Sequence, residues 1–278
     1  MIRAPAEMTA WAEAARARGE RIAFVPTMGA LHEGHVSLLR EGRRRGDKLV
    51  LSIFVNPAQF GPKEDLGRYP RDLPGDLAKA ASADTDVAYC PDAADVYPPG
   101  YETYVQVRDR EQGLDGASRP GHFVGVATVV CKLFNVVRPH VALFGEKDWQ
   151  QLAVIRRMVA DLEMGVEIVG MPIVREPDGL AMSSRNAYLS PEERPRALAL
   201  FRGLVAARLR AQNGERDAAA LVAAARAIVE PDVDRVDYVE LRDAATLAPV
   251  TRLEREGVLL VAAVVGKTRL IDNLRVQP

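Results

Sequence analysis

Ile22-Ala23-Phe24-Val25-Pro26-Thr27-Met28-Gly29-Ala30-Leu31-His32-Glu33-Gly34-His35 leads into Val36-Ser37-Leu38-Leu39 and, past Arg43-Arg44-Arg45, into Leu49-Val50-Leu51-Ser52-Ile53-Phe54-Val55. Residues 21–25 read as a strand. Residues 34–45 carry Val36, Leu38 and Leu39 toward one side of a helix, and the unbroken apolar run 49–55 fits a strand buried on both faces. Strand, helix and strand in that order form a β-α-β unit, whose two strands lie parallel.

The alternation continues outward. Residues 74–83 form a helix with Pro74 in its first turn, and 86–89 a short strand. Val126, Val129, Val130, Leu133, Phe134 and Val137 follow i, i+3, i+4, i+7, i+8, i+11, one face of a helix over 125–137 that Pro139 stops. A strand over 141–144 and a helix over 149–162 come next. Beyond 174 the character changes to two Ala- and Arg-rich helices, 196–211 and 217–229, and then strands at 236–241, 258–265 and 268–271. The expected fold is therefore α/β, a parallel sheet flanked by helices in a domain over 1–175, with a smaller α+β domain over 176–278.

Composition excludes several classes of function. The 278 residues hold 37 Lys+Arg against 38 Asp+Glu, a net charge of −1, so there is no basic surplus for nucleic acid, and Arg43-Arg44-Arg45 reads as cations closing a helix end. The longest apolar run, 258–265, is far shorter than the roughly 20 residues of a membrane span. The first 21 residues lack the continuous apolar stretch of a secretory signal, so a cytoplasmic location is expected. Cys90 and Cys131 are the only cysteines; they lack C-x-x-C spacing and read as small packing residues.

Polar clusters directly follow three apolar strands: Pro26-Thr27-Met28-Gly29, Asn56-Pro57-Ala58-Gln59-Phe60 and Gly145-Glu146-Lys147-Asp148. In a parallel sheet the loops after the strands share one edge, where ligands of open α/β folds bind. The first loop delivers His32 and His35, two of four histidines, to the start of a helix, whose N-terminal N–H groups and dipole attract phosphate. Gly34 allows close approach to the backbone, and both imidazoles can donate to phosphoryl oxygens. Histidines three apart also suit half a zinc site or a purely structural pair. The chain has no H-E-x-x-H, no nearby third histidine and no cysteine pair to complete a zinc site, and neither a Walker loop nor G-x-G-x-x-G occurs.

His32-Glu33-Gly34-His35 resembles the HIGH motif of nucleotidylyl transferases and class I aminoacyl-tRNA synthetases. Together with Asn56-Pro57-Ala58-Gln59-Phe60-Gly61, Arg119-Pro120-Gly121-His122-Phe123, Gly145-Glu146-Lys147-Asp148-Trp149-Gln150-Gln151-Leu152, Asp178-Gly179-Leu180-Ala181-Met182-Ser183-Ser184-Arg185-Asn186 and Thr268-Arg269-Leu270-Ile271-Asp272-Asn273, it is similar to the pantothenate synthetase family. These segments span nearly the whole chain.

The resemblance implies a Rossmann-like domain and a homodimer. It also implies ATP-dependent joining of pantoate to β-alanine through pantoyl adenylate, with AMP and pyrophosphate released. His35, His32, Lys147 and Arg185 would be catalytic. ATP would meet Met28, Gly29, Ala30, Leu31, His32, Glu33, Gly34 and His35, then Gly145, Glu146, Lys147 and Asp148, then Val174, Met182, Ser183, Ser184 and Arg185. Gln59, Gln151 and Asn56 would bind pantoate or β-alanine, since amides that donate and accept suit a hydroxy acid. Mg2+ would accompany ATP, with Asp76 as its candidate carboxylate. Another H-x-G-H nucleotidylyl transferase, or a nucleotide-binding module without catalysis, would share the first motif.

Overall fold

The computed structural model describes residues 1–62 and 64–278. Its contacts divide the chain into two compact units, Met1–Glu146 with Val154–Pro172, and Lys147–Ala153 with Ile173–Pro278. A single boundary after residue 175, expected from composition, leaves out the early segment Lys147–Ala153. That segment groups with the second unit because the last strand of the chain holds it, Asn273 by the Lys147 carbonyl and Arg275 over the Trp149 ring.

In the first unit α1 (Pro5–Ala17), β1 (Ile22–Thr27), α2 (Glu33–Arg45) and β2 (Lys48–Ile53) are followed by α3 (Leu73–Ser82) and β3 (Val87–Tyr89). The short helices α4 (Ala93–Val96) and α5 (Leu114–Ser118) precede α6 (His122–Val137) and β4 (Val141–Gly145); α7 (Trp149–Asp161) begins in the second unit, and β5 (Glu167–Met171) ends the first. The five strands are all parallel, in the order β3-β2-β1-β4-β5. The chain steps outward from β1 to β3 and then returns to β4 on the other side of β1. The sheet's topological switch point therefore lies between β1 and β4, where α/β folds bind ligands.

Both faces of the sheet are covered, which is why its strands read as continuous apolar runs. Val36 and Leu39 of α2 pack with Val25, Leu49, Leu51 and Leu143. On α6, Phe134 meets Phe24 and Phe144 edge-on, with ring centroids 6.2 and 6.4 Å apart. The arginines at the end of α2 are where the macrodipole favours cations, and they are paired as well, Arg43 with Asp86 and Arg45 with Glu41, both at 2.7 Å.

The second unit contains α8 (Glu193–Ala197), α9 (Ala199–Gln212), α10 (Ala218–Val229) and an antiparallel sheet β6 (Arg235–Asp243), β7 (Gly257–Val265), β8 (Thr268–Val276) in the order β6-β7-β8. Leu200, Leu204, Leu221 and Val229 pack on Leu259, Val261 and Ala263. Small residues let α9 and α10 come close: a Cβ on Gly203 would lie 2.7 Å from the Val229 side chain. An α/β sheet domain joined to a smaller α+β unit is the fold class expected. The single helix over 196–211 is instead two, α8 and α9.

One glycine fixes how α6 meets the site. A Cβ on Gly125 would fall 2.2 Å from the Ala58 carbonyl oxygen and 2.8 Å from Gln59 Cα, so the helix lies directly on the main chain of the turn Pro57–Gln59. Gly125→Ala forces backbone apart and is expected to lower the unfolding free energy by about 1–3 kcal/mol, measured by urea denaturation.

Candidate active site

The turn after β1 is left-handed at two successive residues, Gly29 at φ +83° and Ala30 at φ +50°. Glycine adopts this without cost, but for alanine it is unfavourable by roughly 1–2 kcal/mol. The conformation aims consecutive N–H groups at one point, and the buried carboxylate of Asp76 occupies it. Ala30 N–H donates to Oδ2 at 2.8 Å and Leu31 N–H to Oδ1 at 2.6 Å. One turn further along α3, Lys79 Nζ donates to the Leu31 carbonyl at 2.6 Å. Gly29 cannot be replaced, since a Cβ would sit 2.9 Å from Asp76 Oδ2.

Asp76 is also the carboxylate expected for Mg2+. Both of its oxygens are engaged by main-chain donors, and among the described residues no group of three His, Cys, Asp or Glu side chains could hold a metal. In this turn Asp76 holds the main chain, and a Mg2+ ion carried mainly by phosphates requires no group of three side chains.

That turn delivers His32 as the N-cap of α2. His32 Nδ1 accepts from Gly34 N–H at 3.2 Å, and His35 Nδ1 accepts from His32 N–H at 3.3 Å, a reciprocal capping box built from two imidazoles. The rings lie 4.1 Å apart, centroid to centroid. Capping uses the acceptor nitrogen of each neutral ring. The proton therefore sits on Nε2, and both histidines become N–H donors at a helix N-terminus, the arrangement that suits developing phosphoryl charge.

Beside this turn the structure brings together Met28, Asn56 and Gln59. Gln59 is buried; its Nε2 donates to Met28 Sδ at 3.0 Å and its Oε1 accepts from Asn56 Nδ2 at 3.2 Å. Asn56 also donates to the Gly125 carbonyl at 3.1 Å and accepts from Tyr97 OH at 2.8 Å. Asn56 thus fixes the turn that presents Gln59. Burial and the neighbouring tyrosines push the Tyr97 hydroxyl well above its ordinary range, so it stays a donor.

A second support lies beneath Gln59. Arg119 grips Glu64 with Nε and Nη2, both at 2.7 Å, and donates to His122 Nε2 at 2.9 Å. Since a guanidinium only donates, the His122 proton is on Nδ1, which gives it to the Gln59 carbonyl at 2.8 Å. Burial, reinforced by the Arg119 charge, pulls the His122 pKa down to about 4. Burial pushes the Glu64 carboxyl up, but Arg119 overrides it and holds the group below its ordinary value.

The remaining candidates fall elsewhere in the chain. Gly145 ends β4 and Glu146 closes that stretch of the first unit. In the second unit Lys147 and Asp148 lie in a 3₁₀ turn and the half-buried Gln151 in the first turn of α7. Met182 N–H donates to the Val174 carbonyl at 3.0 Å and Glu176 N–H to that of Leu180 at 2.8 Å, so residues 174–182 form a hairpin. Its far end runs into Ser183, whose Oγ accepts from Arg185 N–H at 3.3 Å and caps the 3₁₀ turn Ser184–Tyr188. Asn186 Nδ2 donates to Glu176 at 2.7 Å and ties this turn to the hairpin.

A family model described as pantoate-beta-alanine ligase matches residues 1–275. The chain belongs to that family. Members similar to it include the pantothenate synthetases of Anaeromyxobacter dehalogenans, 65% identical with 99% of this chain and 98% of the relative covered, and of Myxococcus xanthus, 59% identical with 99% and 95% covered. Among solved structures, pantothenate synthetase from Thermus thermophilus superposes with a TM-score of 0.94 at 46% identity, covering 100% of this chain and 99% of that one. Pantoate-beta-alanine ligase from Francisella tularensis, described as complexed with beta-gamma ATP and beta-alanine, gives 0.82 at 32% identity, covering 99% and 97%. The fold and the ligase class expected from the motifs hold for this pantoate-beta-alanine ligase family member.

Tyr97, Glu64 and Lys79 carry no motif of their own, and their parts in positioning Asn56, Arg119 and Leu31 emerge only from three-dimensional contacts. A pH dependence follows from His122. Its folded pKa, about 4, lies below the ordinary 6.5, so between these values the unfolded chain binds a proton that the folded chain does not. Its contribution, about 3 kcal/mol, is present above pH 6.5 and is lost as pH falls toward 4. Urea unfolding across this window should show stability rising with pH, and His122→Gln should flatten that slope by about one proton.

Proposed function

We propose that the chain condenses pantoate with β-alanine in two steps, with ATP as co-substrate. A pantoate carboxylate oxygen attacks the α-phosphorus of ATP and pyrophosphate leaves, giving pantoyl adenylate. The β-alanine amine then attacks the activated carbonyl, AMP leaves with the former carboxylate oxygen, and the amine gives up a proton. Neither step needs a protein nucleophile; positioning and charge neutralisation carry both.

The observation that carries this reading is the imidazole capping box, which places two Nε2–H donors at the N-terminus of α2 directly after β1. On this reading His35 and His32 donate to phosphate oxygens where charge develops, and Met28, Gly29, Ala30, Leu31, Glu33 and Gly34 form the nucleotide turn, with Gly145 and Glu146 as further nucleotide contacts. Lys147, Asp148 and Arg185 meet ATP on the same reading, with Val174, Met182, Ser183 and Ser184 as its main-chain and hydroxyl partners. Gln59 binds the hydroxy acid through an uncharged amide, as does Gln151, while Asn56 holds the turn of Gln59.

Mg2+, carried by ATP, would neutralise charge on its phosphates, and Asp76 is the carboxylate tested for it. A homodimer and a cytoplasmic location belong to the same reading; sedimentation tests the first and cell fractionation the second. Among the described residues no helix is long and apolar enough to cross a membrane. Nucleic acid is not a partner on this reading, given the balanced charge.

The test follows AMP, pyrophosphate and amide together, with each substrate left out in turn. All three should form in equal amounts and depend on both pantoate and β-alanine over many turnovers. Pyrophosphate release indifferent to β-alanine would point instead to a nucleotidylyl transferase. His35→Ala and Lys147→Ala should cut pantoate-dependent adenylation by on the order of 10²-fold while the chain still melts cooperatively. Asp76→Asn removes one acceptor from the turn and should lower the unfolding free energy by about 1–3 kcal/mol. It should leave the Mg2+ concentration for half-maximal rate unchanged, whereas loss of a metal ligand would raise it.

A further inference from the structure

Asp272 and Asn273 stand in a motif near the C-terminus to which no chemistry has yet been given, and they are among the most buried polar residues of the second unit. They are neighbours on β8, so their side chains leave the strand on opposite faces. Asp272 accepts both arms of the Arg175 guanidinium, at 2.7 and 2.9 Å, and its Oδ1 also accepts from Asn273 N–H at 2.7 Å. Arg175 lies over the Phe201 ring, 3.8 Å from its centroid, and donates to the carbonyls of Gly179 at 3.1 Å and Asn273 at 3.3 Å. The hairpin over 174–182 is thereby pinned to β8 through Arg175, whose guanidinium also holds the hairpin's own tip. Gly179, at φ +97°, sits where a Cβ would come within 2.8 Å of the Phe201 ring, so the tip has a single seat.

On the other side Asn273 Nδ2 donates to the Lys147 carbonyl at 2.9 Å, and two residues on, Arg275 covers the Trp149 ring at 4.8 Å. Asn273 and Arg275 share a strand face and hold the start of the Lys147–Ala153 segment at two points. One strand therefore grips both segments that carry cationic candidates. Burial pushes the Asp272 carboxyl up, and among the charges that oppose this are Arg175 and Lys147, which places the Lys147 charge within electrostatic reach of the same carboxylate.

We propose that β8 is a bracket that sets Lys147 and the Ser183–Arg185 turn at a fixed spacing before ATP arrives, with Asn273 as the positioning residue for Lys147 and the Arg175–Asp272 pair as that for the 174–185 hairpin and turn. The proposal deepens the ligase reading and rests on it for the roles of Lys147 and Arg185. Preset cations need no reorganisation as phosphate charge develops, which is where electrostatic catalysis gains most. Gln59 and Asn56 of the first unit lie outside the segments the bracket holds, whereas Gln151 lies within one of them.

Breaking Arg175–Asp272 strands a buried charge and jeopardises folding, so the test uses Asn273 and Arg275 in the full chain. Asn273→Ala should lower kcat/KM for ATP about tenfold, and Arg275→Ala, at a more exposed position, should shift the same parameter by less. The deciding measurement is a double-mutant cycle. If Asn273 acts through Lys147, Asn273→Ala should cost less than about twofold in a Lys147→Ala background. Losses that multiply in the double variant overturn the proposal, as does a fall in melting temperature with the ATP parameters of both single variants unchanged. A wild-type chain that makes no pantothenate would sink the ligase reading instead. The same cycle, read by calorimetry as affinity for a β,γ-nonhydrolysable ATP analogue, then decides the bracket by whether the two substitutions are coupled.

Discussion

A buried carboxylate that accepts two main-chain N–H groups is the constraint on which the first unit's candidate site depends. Asp76 stabilises a backbone conformation that Ala30 would otherwise avoid. Charge-assisted hydrogen bonds of this kind are about twice as strong as neutral ones, enough to offset the left-handed geometry. Everything downstream inherits that geometry. The turn sets the entry angle of α2, the entry angle makes His32 the N-cap, and the cap fixes which nitrogen of each imidazole carries its proton. Lys79 holds the Leu31 carbonyl from the same helix, so α3 grips the turn through both of its polar ends.

The fold was legible where burial is two-sided. Runs such as Leu49-Val50-Leu51 and the 3.6-residue stripe of α6 have no other physical use. Two elements of the first unit carried no such signal. α1 buries only Met8, Ala12 and Ala15, one large side chain and two alanines, and β5 lies at the sheet edge with Glu167 exposed and Gly170 in the run. The candidate residues were legible through their motifs, but what each carboxylate does was not. For Asp76 a sequence shows the acid and hides its main-chain partners. Asp272 and Asn273 were visible as a motif without a task, since their partners Arg175 and Lys147 lie about a hundred residues or more away in sequence.

Charge is handled in the same economical way throughout. The chain is nearly neutral, and many of its arginines sit against a carboxylate, a carbonyl or a ring, as Arg119, Arg175 and Arg194 do. Such pairs add little where exposed, but within a protein they fix geometry. Burial, reinforced by the Arg119 charge, holds His122 neutral, and neutral His122 can give its proton to the Gln59 carbonyl. An uncharged amide beneath a fixed carbonyl is a suitable receptor for a hydroxylated acid, because it can donate and accept without placing a second charge beside the substrate carboxylate.

The division of the chain has a consequence for its biosynthesis and its engineering. Because Lys147–Ala153 belongs with Ile173–Pro278, the polypeptide crosses between units three times, and neither unit is an uninterrupted stretch. On the ribosome, part of the second unit emerges before the last strand of the first, β5, has been made, and it must wait for β8, the final strand, to receive its partners. No single cut releases either half intact. A gene fragment ending at Pro172 would encode Lys147 without the strand that holds it, so modular shuffling of these units by simple recombination is closed to this fold.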